Sequence, residues 1–403
     1  MRGGVQAIDC AVVGAGPAGL AASVALAGRG VDHVVLERDR VAGTWRAQRW
    51  DSFRLNTAGW MNTMLSGQER YAYAPRREVV ERLEGIAAGC PVREGVRVER
   101  LAPAGHGWAL ATGDGELRAR TVVVATGDQN VPRVPALAGR LPGRVAQLHA
   151  AGYRGPAQLP EGTVLVVGSA QSGCQIAEDL LAGGRRVVLA TSPAGRVPFR
   201  HRGRDILEWL IEVGFMDQWP RDLPDPAMMN APMPIIAPGR GLSLPALARA
   251  GATLAGRTVA VDGERVSFDD SAVANVAAGD AFAARARAMA DGVISRQGLD
   301  APPAEPDEHD LPVELDPPAA LDLRAEEVGG VVWCTGFTGD FSWLEAALVG
   351  PGGLPRHSEG VAPAPGLWYL GLRWMRRRGS SILYGFPGDA AWVAGEVGTH
   401  LGG

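Results

Sequence analysis

The sequence predicts an α/β fold of two Rossmann-like dinucleotide-binding domains, the second inserted into the first. Three observations carry this. The order strand, glycine-rich turn, helix, strand occurs at residues 8–37 and again at 163–190, about 154 residues on. Two further apolar strands, Thr121–Ala125 and Val331–Cys334, each run into a Thr-Gly pair. The chain has 403 residues, more than one core usually fills.

In chain order, Ile8–Val13 is an apolar strand, Ala18–Ala27 a helix and Val31–Glu37 a second buried strand. Val96–Leu101, Trp108–Ala111 and Glu116–Arg120 form an expected antiparallel meander, with Gly113-Asp114-Gly115 as the last turn. Thr121–Ala125 then ends in Thr126-Gly127. In the second unit, Thr163–Val167 is a strand, Gly168–Gly173 a turn, Gln175–Leu181 a helix and Arg186–Ala190 a strand. Asp262-Gly263 joins Thr258–Val261 to Arg265–Phe268 as a hairpin. Residues 271–296 read as a packing helix, with Val273, Val276, Ala283, Ala286, Ala290 and Val293 as its apolar stripe. The acidic, proline-rich residues 300–312 read as an exposed linker. With the two Thr-Gly strands expected in one sheet, residues 1–152 and 326–403 form the first domain and 153–325 the second.

Composition narrows the chemistry. Apolar content of 46% and a net charge of −4 describe an ordinary globular chain with no general attraction for nucleic acid. The sequence has no lysine, so all 40 basic residues are arginine. That excludes a pyridoxal-phosphate Schiff base, a Walker-A loop and a kinase ATP site. The 55 glycines and 29 prolines follow no short repeat and mark turns. Cys10, Cys90, Cys174 and Cys334 make no CxxC pair, and the seven histidines make no ligand spacing, so no metal site is expected. Residues 10–28 are apolar, but Gly14, Gly16, Pro17 and Gly19 break the run, and Arg2 is the one positive residue ahead of it. Neither a signal peptide nor a membrane span is expected, and the location expected is cytoplasmic.

Gly14-Ala15-Gly16-Pro17-Ala18-Gly19 follows a strand and opens a helix. The glycines allow a tight turn, close approach of a pyrophosphate and close helix–strand packing, and the helix N-terminus supplies free N–H groups. Glu37 closes the second strand, 23 residues after Gly14, where a carboxylate accepts from a ribose diol. In the second turn, Gly168-Ser169-Ala170-Gln171-Ser172-Gly173, Ala170 replaces the middle glycine. The equivalent of Glu37 is Thr191, and Ser192, Arg196 and Arg200 follow. Without a carboxylate, and with hydroxyls and arginines nearby, this favours the 2′-phosphate of NADPH over NADH. Two dinucleotide sites on one chain imply a fixed redox cofactor, FAD, and an exchangeable hydride donor.

The chain resembles the class B flavin-dependent monooxygenases, in the flavin-containing monooxygenase and YUCCA-like group. The resemblance rests on Gly14–Gly19, Glu37-Arg38, Gly43-Thr44-Trp45-Arg46, Ala125-Thr126-Gly127, Gly168–Gly173 and Cys334-Thr335-Gly336-Phe337, in order along nearly the whole chain. It implies that Arg38, Thr44, Trp45 and Arg46 lie along FAD. It also implies that Asn56 stands by the flavin ring and nicotinamide as the catalytic residue. Gly379–Gly385 resembles the flavin-covering segment, with Asp389 either on the ribityl chain or as a helix N-cap. His149 and Tyr153 match half of the group's FxGxxxHxxxY fingerprint; Gly143 and Val145 replace its Phe and Gly. Tyr153 in place of Trp leans away from Baeyer–Villiger chemistry.

The function implied is an NADPH- and O2-dependent oxygenation of a small organic substrate at nitrogen, sulfur or a ring carbon, through a C4a-(hydro)peroxyflavin. An NADPH:flavin reductase or oxidase that inserts no oxygen is the alternative. Met216–Arg240, with Trp219, Met228, Met229 and Met233, and Trp374-Met375 are read first as packing and second as a substrate pocket.

Overall fold

The computed structural model describes residues 8–402, so Arg2 lies outside the described residues. Ile8–Val13 (β1) ends at Gly14, whose φ of +106° turns the chain out of the strand. Helix Pro17–Ala27 (α1) starts with proline in its first turn, where no intrahelical N–H is lost. His33–Leu36 (β2), the short helix Gly43–Ala47 (α2), Arg76–Ala87 (α3) and Gly115–Val124 (β3) follow. The second unit is Thr163–Val167 (β4), Gln171–Ala182 (α4) and Val187–Ala190 (β5). Beyond it lie Ile206–Glu212 (α5), Ala272–Gln297 (α6), Val328–Trp333 (β6), Leu367–Tyr369 (β7) and Phe386–Gly402 (α7).

Pairing divides the strands into two main sheets. The seven-stranded first sheet runs Val92–Arg93, β2, β1, β3, Gly107–Thr112, Val98–Ala104, with β7 also on β3. The expected meander strand and the apolar strand after it are one element. The first half of β3 pairs antiparallel with Gly107–Thr112, and its second half lies parallel to β1 and β7. The second sheet is parallel throughout, in the order Thr253–Ala255, β5, β4, β6, Ala146–His149. Strands β1, β2, β4 and β5 are buried almost end to end, as a parallel sheet covered on both faces requires. The expected hairpin of Thr258–Asp262 and Arg265–Phe268 is present and gains Ala320–Asp322 as a third strand.

Three expectations are corrected. The two Thr-Gly strands do not share a sheet: β6 pairs with β4 and Ala146–His149. The first sheet therefore regains the chain at Leu367 rather than near residue 326, and residues from 146 already belong to the second. Both strands are apolar with the same ending, so only the surface each packs on separates them. Residues 300–312 are mostly exposed, as expected, but the segment is fastened to the second unit, because Asp307 and Asp310 are ion-paired to Arg196 and Arg287. Helix α6 packs on α5 through Ala286, Ala290 and Val293, and Ala283 is buried too, whereas Val273 faces solvent. Among the described residues no helix is long and apolar enough to cross a membrane.

Candidate functional site

Both glycine turns open on one cleft of about 860 Å³, at the C-terminal ends of β1, β3, β4 and β6. Each turn is pressed against its own Thr-Gly strand. A Cβ on Gly14 would lie 2.8 Å from the Ala125 carbonyl oxygen, and one on Gly168 would lie 2.6 Å from that of Cys334. Both glycines also have left-handed φ, +106° and +102°, so no other residue fits either place. Gly19 and Gly173 let their helices touch the Gly14 and Gly168 carbonyls, and neither lines the cleft. A Cβ on Gly16 would meet nothing within 4 Å. That space, in front of the unpaired N–H groups of α1, is where a pyrophosphate fits.

On the first sheet, Gly14, Gly16, Pro17, Ala18, Glu37, Arg38, Thr44, Trp45, Thr126 and Gly127 line the cleft. The Glu37 carboxylate accepts from Ala15 N at 2.7 Å and from Asp39 N at 3.0 Å, which clamps the end of β2 to the glycine turn. Several buried oxygens here have no protein partner: Thr126 Oγ1, Asp128 Oδ1, Asn130 Oδ1 and Gln48 Oε1. Buried polar atoms are rarely left unpaired, so a ligand carrying donors fits this wall. FAD, with its hydroxyls and ring N–H, is such a ligand. Arg49 also faces the cleft, over Trp45 and Phe53, and burial lowers its guanidinium to about 10.

On the second sheet, Gly168, Gln171, Ser172 and Ser192 line the cleft. Ala170 stands at the N-cap of α4 in extended backbone, as Gly16 does for α1. Ser169 turns inward, where its Oγ accepts from Ser192 N at 2.9 Å and holds the end of β5. Thr191 is buried, donating to Ala255 O at 2.8 Å and accepting from Asn275 Nδ2 at 2.9 Å.

Besides Gly19 and Gly173, five expected cofactor contacts lie elsewhere or face away. Arg196 is 3% exposed and held by Asp280, Asp307 and Asp310. Arg200 points outward and donates to Gly203 O. Arg257 does line the cleft, two residues beyond Ala255, whose carbonyl accepts from Thr191 N, and it pairs with Asp269 at 3.3 Å. Arg46 donates to Val41 O at 3.0 Å and pairs with Glu84 of α3, so it fastens α2 instead of facing the cleft. Ser169 is the fourth. Asp389, the fifth, is fully buried inside the first turn of α7, paired to Arg377 at 3.3 Å and Arg376 at 3.6 Å. It is not an N-cap either.

Asn56 sits on the loop after α2, which Leu55 N ties to Ala74 O at 2.8 Å. Its Nδ2 donates to Gln171 Oε1 at 3.2 Å, and its Oδ1 accepts from Gln175 Nε2 at 2.8 Å. The asparagine thus joins the first domain to the cofactor helix of the second. His149 does not enter the cleft. Its Nε2 lies 3.0 Å from Gly336 O, its Nδ1 accepts from Ala151 N at 3.1 Å, and burial lowers its pKa. Tyr153 is buried and donates to Asp179 at 2.7 Å. At the apolar end of the cleft stand Met61, Val197, Leu207, Leu210, Phe215 and Met216. Met233 also reaches it, whereas Trp219, Met228, Met229, Trp374 and Met375 do not.

Sequence reasoning missed Gln48, Arg49, Asp128, Asn130, Gln175, Arg257 and Arg373. Only Asp128 and Asn130 carried a signal, as polar residues directly after a strand ending in Thr-Gly.

Residues 11–202 match the family model described as pyridine nucleotide-disulphide oxidoreductase. An oxidoreductase named CzcO-like from Geobacillus kaustophilus is 27% identical over 98% of this chain and 99% of its own. Indole-3-pyruvate monooxygenase YUCCA1 of Oryza sativa is 38% identical over 43% of this chain and 45% of its own. Among solved structures, the flavin-containing monooxygenase from Stenotrophomonas maltophilia superposes with a TM-score of 0.67 at 21% identity, covering 98% of this chain and 99% of that one. Bacillithiol disulfide reductase from Bacillus cereus superposes with a TM-score of 0.60 at 15% identity, covering 98% and 99%.

Proposed function

We propose that the chain is an FAD- and NADPH-dependent oxidoreductase of the class B flavin-dependent monooxygenase type, in the flavin-containing monooxygenase and YUCCA-like group, and that it oxygenates a small, largely apolar organic substrate; its likeness to the relatives above supports this reading. The atom oxygenated is a nitrogen, a sulfur or an electron-rich ring carbon. The observation that carries the reading is the single cleft on which both glycine turns open, lined also by Asn56 and by the two glutamines of α4 to which it is hydrogen-bonded.

FAD bound on the first sheet would supply hydride acceptance and activation of dioxygen. The chain's own part is placement. The N-terminus of α1 and Glu37 would hold one dinucleotide, and the N-terminus of α4 with Ser192 and Arg257 the other. Asn56, fixed by Gln175, would keep its amide donor facing the reacting rings, where a placed donor is worth on the order of 3 kcal/mol. Met61, Leu207, Leu210, Phe215 and Met216 would exclude water and receive the substrate. No nucleophilic side chain is needed.

Disulfide reduction, the chemistry in the matched family's description, is disfavoured. Cys174 and Cys334 are free, and burial pushes both thiols up, away from the thiolate that exchange requires. A cytoplasmic location belongs to the same reading, since unpaired thiols persist there.

The test is stoichiometric. Purified protein should be yellow, NADPH should bleach it faster than NADH, and ¹⁸O₂ should label a product from candidate amines, sulfides or aromatic acids. NADPH consumption matched wholly by hydrogen peroxide, with every candidate, would replace oxygenation by the oxidase alternative.

A further inference from the structure

Resting on the reading that FAD occupies the first sheet, we propose that Asp128, and not Asp389, binds the hydroxyls of the flavin's ribityl chain. Asp389 is fully buried, with Oδ1 paired to Arg376 and Arg377, and it does not line the cleft; its Oδ2 also lacks a protein partner, but of the two acids only Asp128 turns such an oxygen to the cleft wall. Asp128 follows Thr126-Gly127 and lines the cleft, although it is only 4% exposed. One oxygen, Oδ2, accepts from Arg373 N at 3.2 Å and from Arg373 Nε at 3.3 Å. The other, Oδ1, is buried without a partner. A half-satisfied buried carboxylate facing a cavity calls for a donor from whatever fills it.

The strand order says which donor. Across the edge of the sheet the order is β2, β1, β3, β7. Glu37 follows β2, the glycine turn follows β1, Asp128 follows β3 and Arg373 follows β7. Neighbouring strands are about 4.8 Å apart, so the two carboxylates flank the turn, one on each side. The loop after β7 also reaches α1: a Cβ on Gly371 would lie 2.8 Å from that of Ala18. A dinucleotide laid along this edge with its pyrophosphate on the turn has a polyol on either side. One is the adenosine ribose, at Glu37. The other is the ribityl chain, at Asp128. Phosphate oxygens would be repelled by a carboxylate, whereas hydroxyls donate to it. Arg373 neutralises Asp128 through Oδ2 and leaves Oδ1 directed at the ligand.

The test measures affinity, not turnover. Apoprotein is titrated with FAD and with monodeoxyribityl FAD analogues, following flavin fluorescence. The wild type should bind at least one analogue about ten- to a hundredfold more weakly than FAD, the range for a hydrogen bond to a charged acceptor. Asp128→Ala should bind FAD more weakly by a similar factor and no longer distinguish that analogue. Asp128→Asn, which keeps an acceptor oxygen, should fall between. Far-UV circular dichroism and unchanged NADP⁺ affinity establish that the variants are folded. Full discrimination retained by folded Asp128→Ala, or lost in Asp389→Asn instead, overturns the assignment. Wild-type apoprotein that binds no FAD overturns the proposed function itself.

Discussion

Gln175 Nε2 donates to Asn56 Oδ1 at 2.8 Å, and this bond decides which way the asparagine amide faces. With its oxygen occupied, Asn56 has its Nδ2 left to donate, now toward Gln171 at 3.2 Å. The same Gln175 amide donates to Ile236 O at 2.6 Å, so helix α4, the Asn56 loop and the chain beyond the second unit meet at one side chain.

Asn56→Ala should therefore lower coupled oxygenation about a hundredfold, the cost of losing one placed donor. Gln175→Leu should lower it about tenfold, because the donor survives but turns freely. FAD should stay bound in both. Peroxide formed per NADPH consumed, with product measured in parallel, checks the ranking. A Gln175→Leu variant coupled as well as the wild type would remove the positioning role.

Selectivity for the 2′-phosphate should follow Ser192 and Arg257 and not Arg196. Ser192→Glu and Arg257→Ala should each raise the KM for NADPH about tenfold or more and leave that for NADH nearly unchanged. Arg196→Ala should instead lower the melting temperature by a few degrees, from a loss of about 2 kcal/mol. Its carboxylate partners are partly exposed and can be rehydrated, which keeps the loss below that of a fully buried pair. Steady-state kinetics with both coenzymes, beside thermal melts, separates the two arginines.

That contrast marks how far the sequence can be read. The two strand–turn–helix–strand units are local, and their glycines stand where φ or a carbonyl contact demands them, so they were legible. Arg196 and Arg200 were legible only as charge. Whether an arginine in such a run meets solvent or acid depends on Asp280, Asp307 and Asp310, 84 to 114 residues away. Val328–Trp333 was legible as a strand but not as a member of the second sheet, because apolar strands advertise burial and not a partner. Asp389 and Asp128 show the same limit: both acids are in the sequence, and only packing says which one faces the cleft.

Stability should decline as the pH falls through the range of unfolded histidine. Burial holds His149, His309 and His357 below their ordinary value of 6.5. Each then binds its proton more readily in the unfolded chain. The stability they contribute is fully present above the unfolded value and is lost as the pH drops toward the folded one. Glu178 and Asp205, raised by burial, act in the opposite sense at lower pH. A single variant isolates the histidine effect: between pH 7.5 and 5.5, the melting temperature of His357→Asn should fall less than that of the wild type. Parallel curves would show that His357 keeps its ordinary value.

The second glycine turn offers the most direct test of how the cleft holds a phosphate. Ala170 and Gly16 occupy the same place in their turns, with φ of −76° and −77°, so the alanine is unstrained and its methyl is the sole difference. At Gly16 the protein leaves that methyl's position empty. A pyrophosphate approaching α4 would meet it. Glycine at an N-cap is at least as favourable as alanine, so Ala170→Gly should cost no helix stability. The variant should bind NADPH a few-fold more tightly, with an unchanged melting temperature. Gly16→Ala should do the reverse on the first sheet, weakening FAD while the apoprotein stays folded. Titration of each apoprotein with FAD and with NADP⁺ would show whether the two effects stay on their own sheets. Tighter NADP⁺ binding by Gly16→Ala, or weaker by Ala170→Gly, would mean that the phosphates do not lie on these turns.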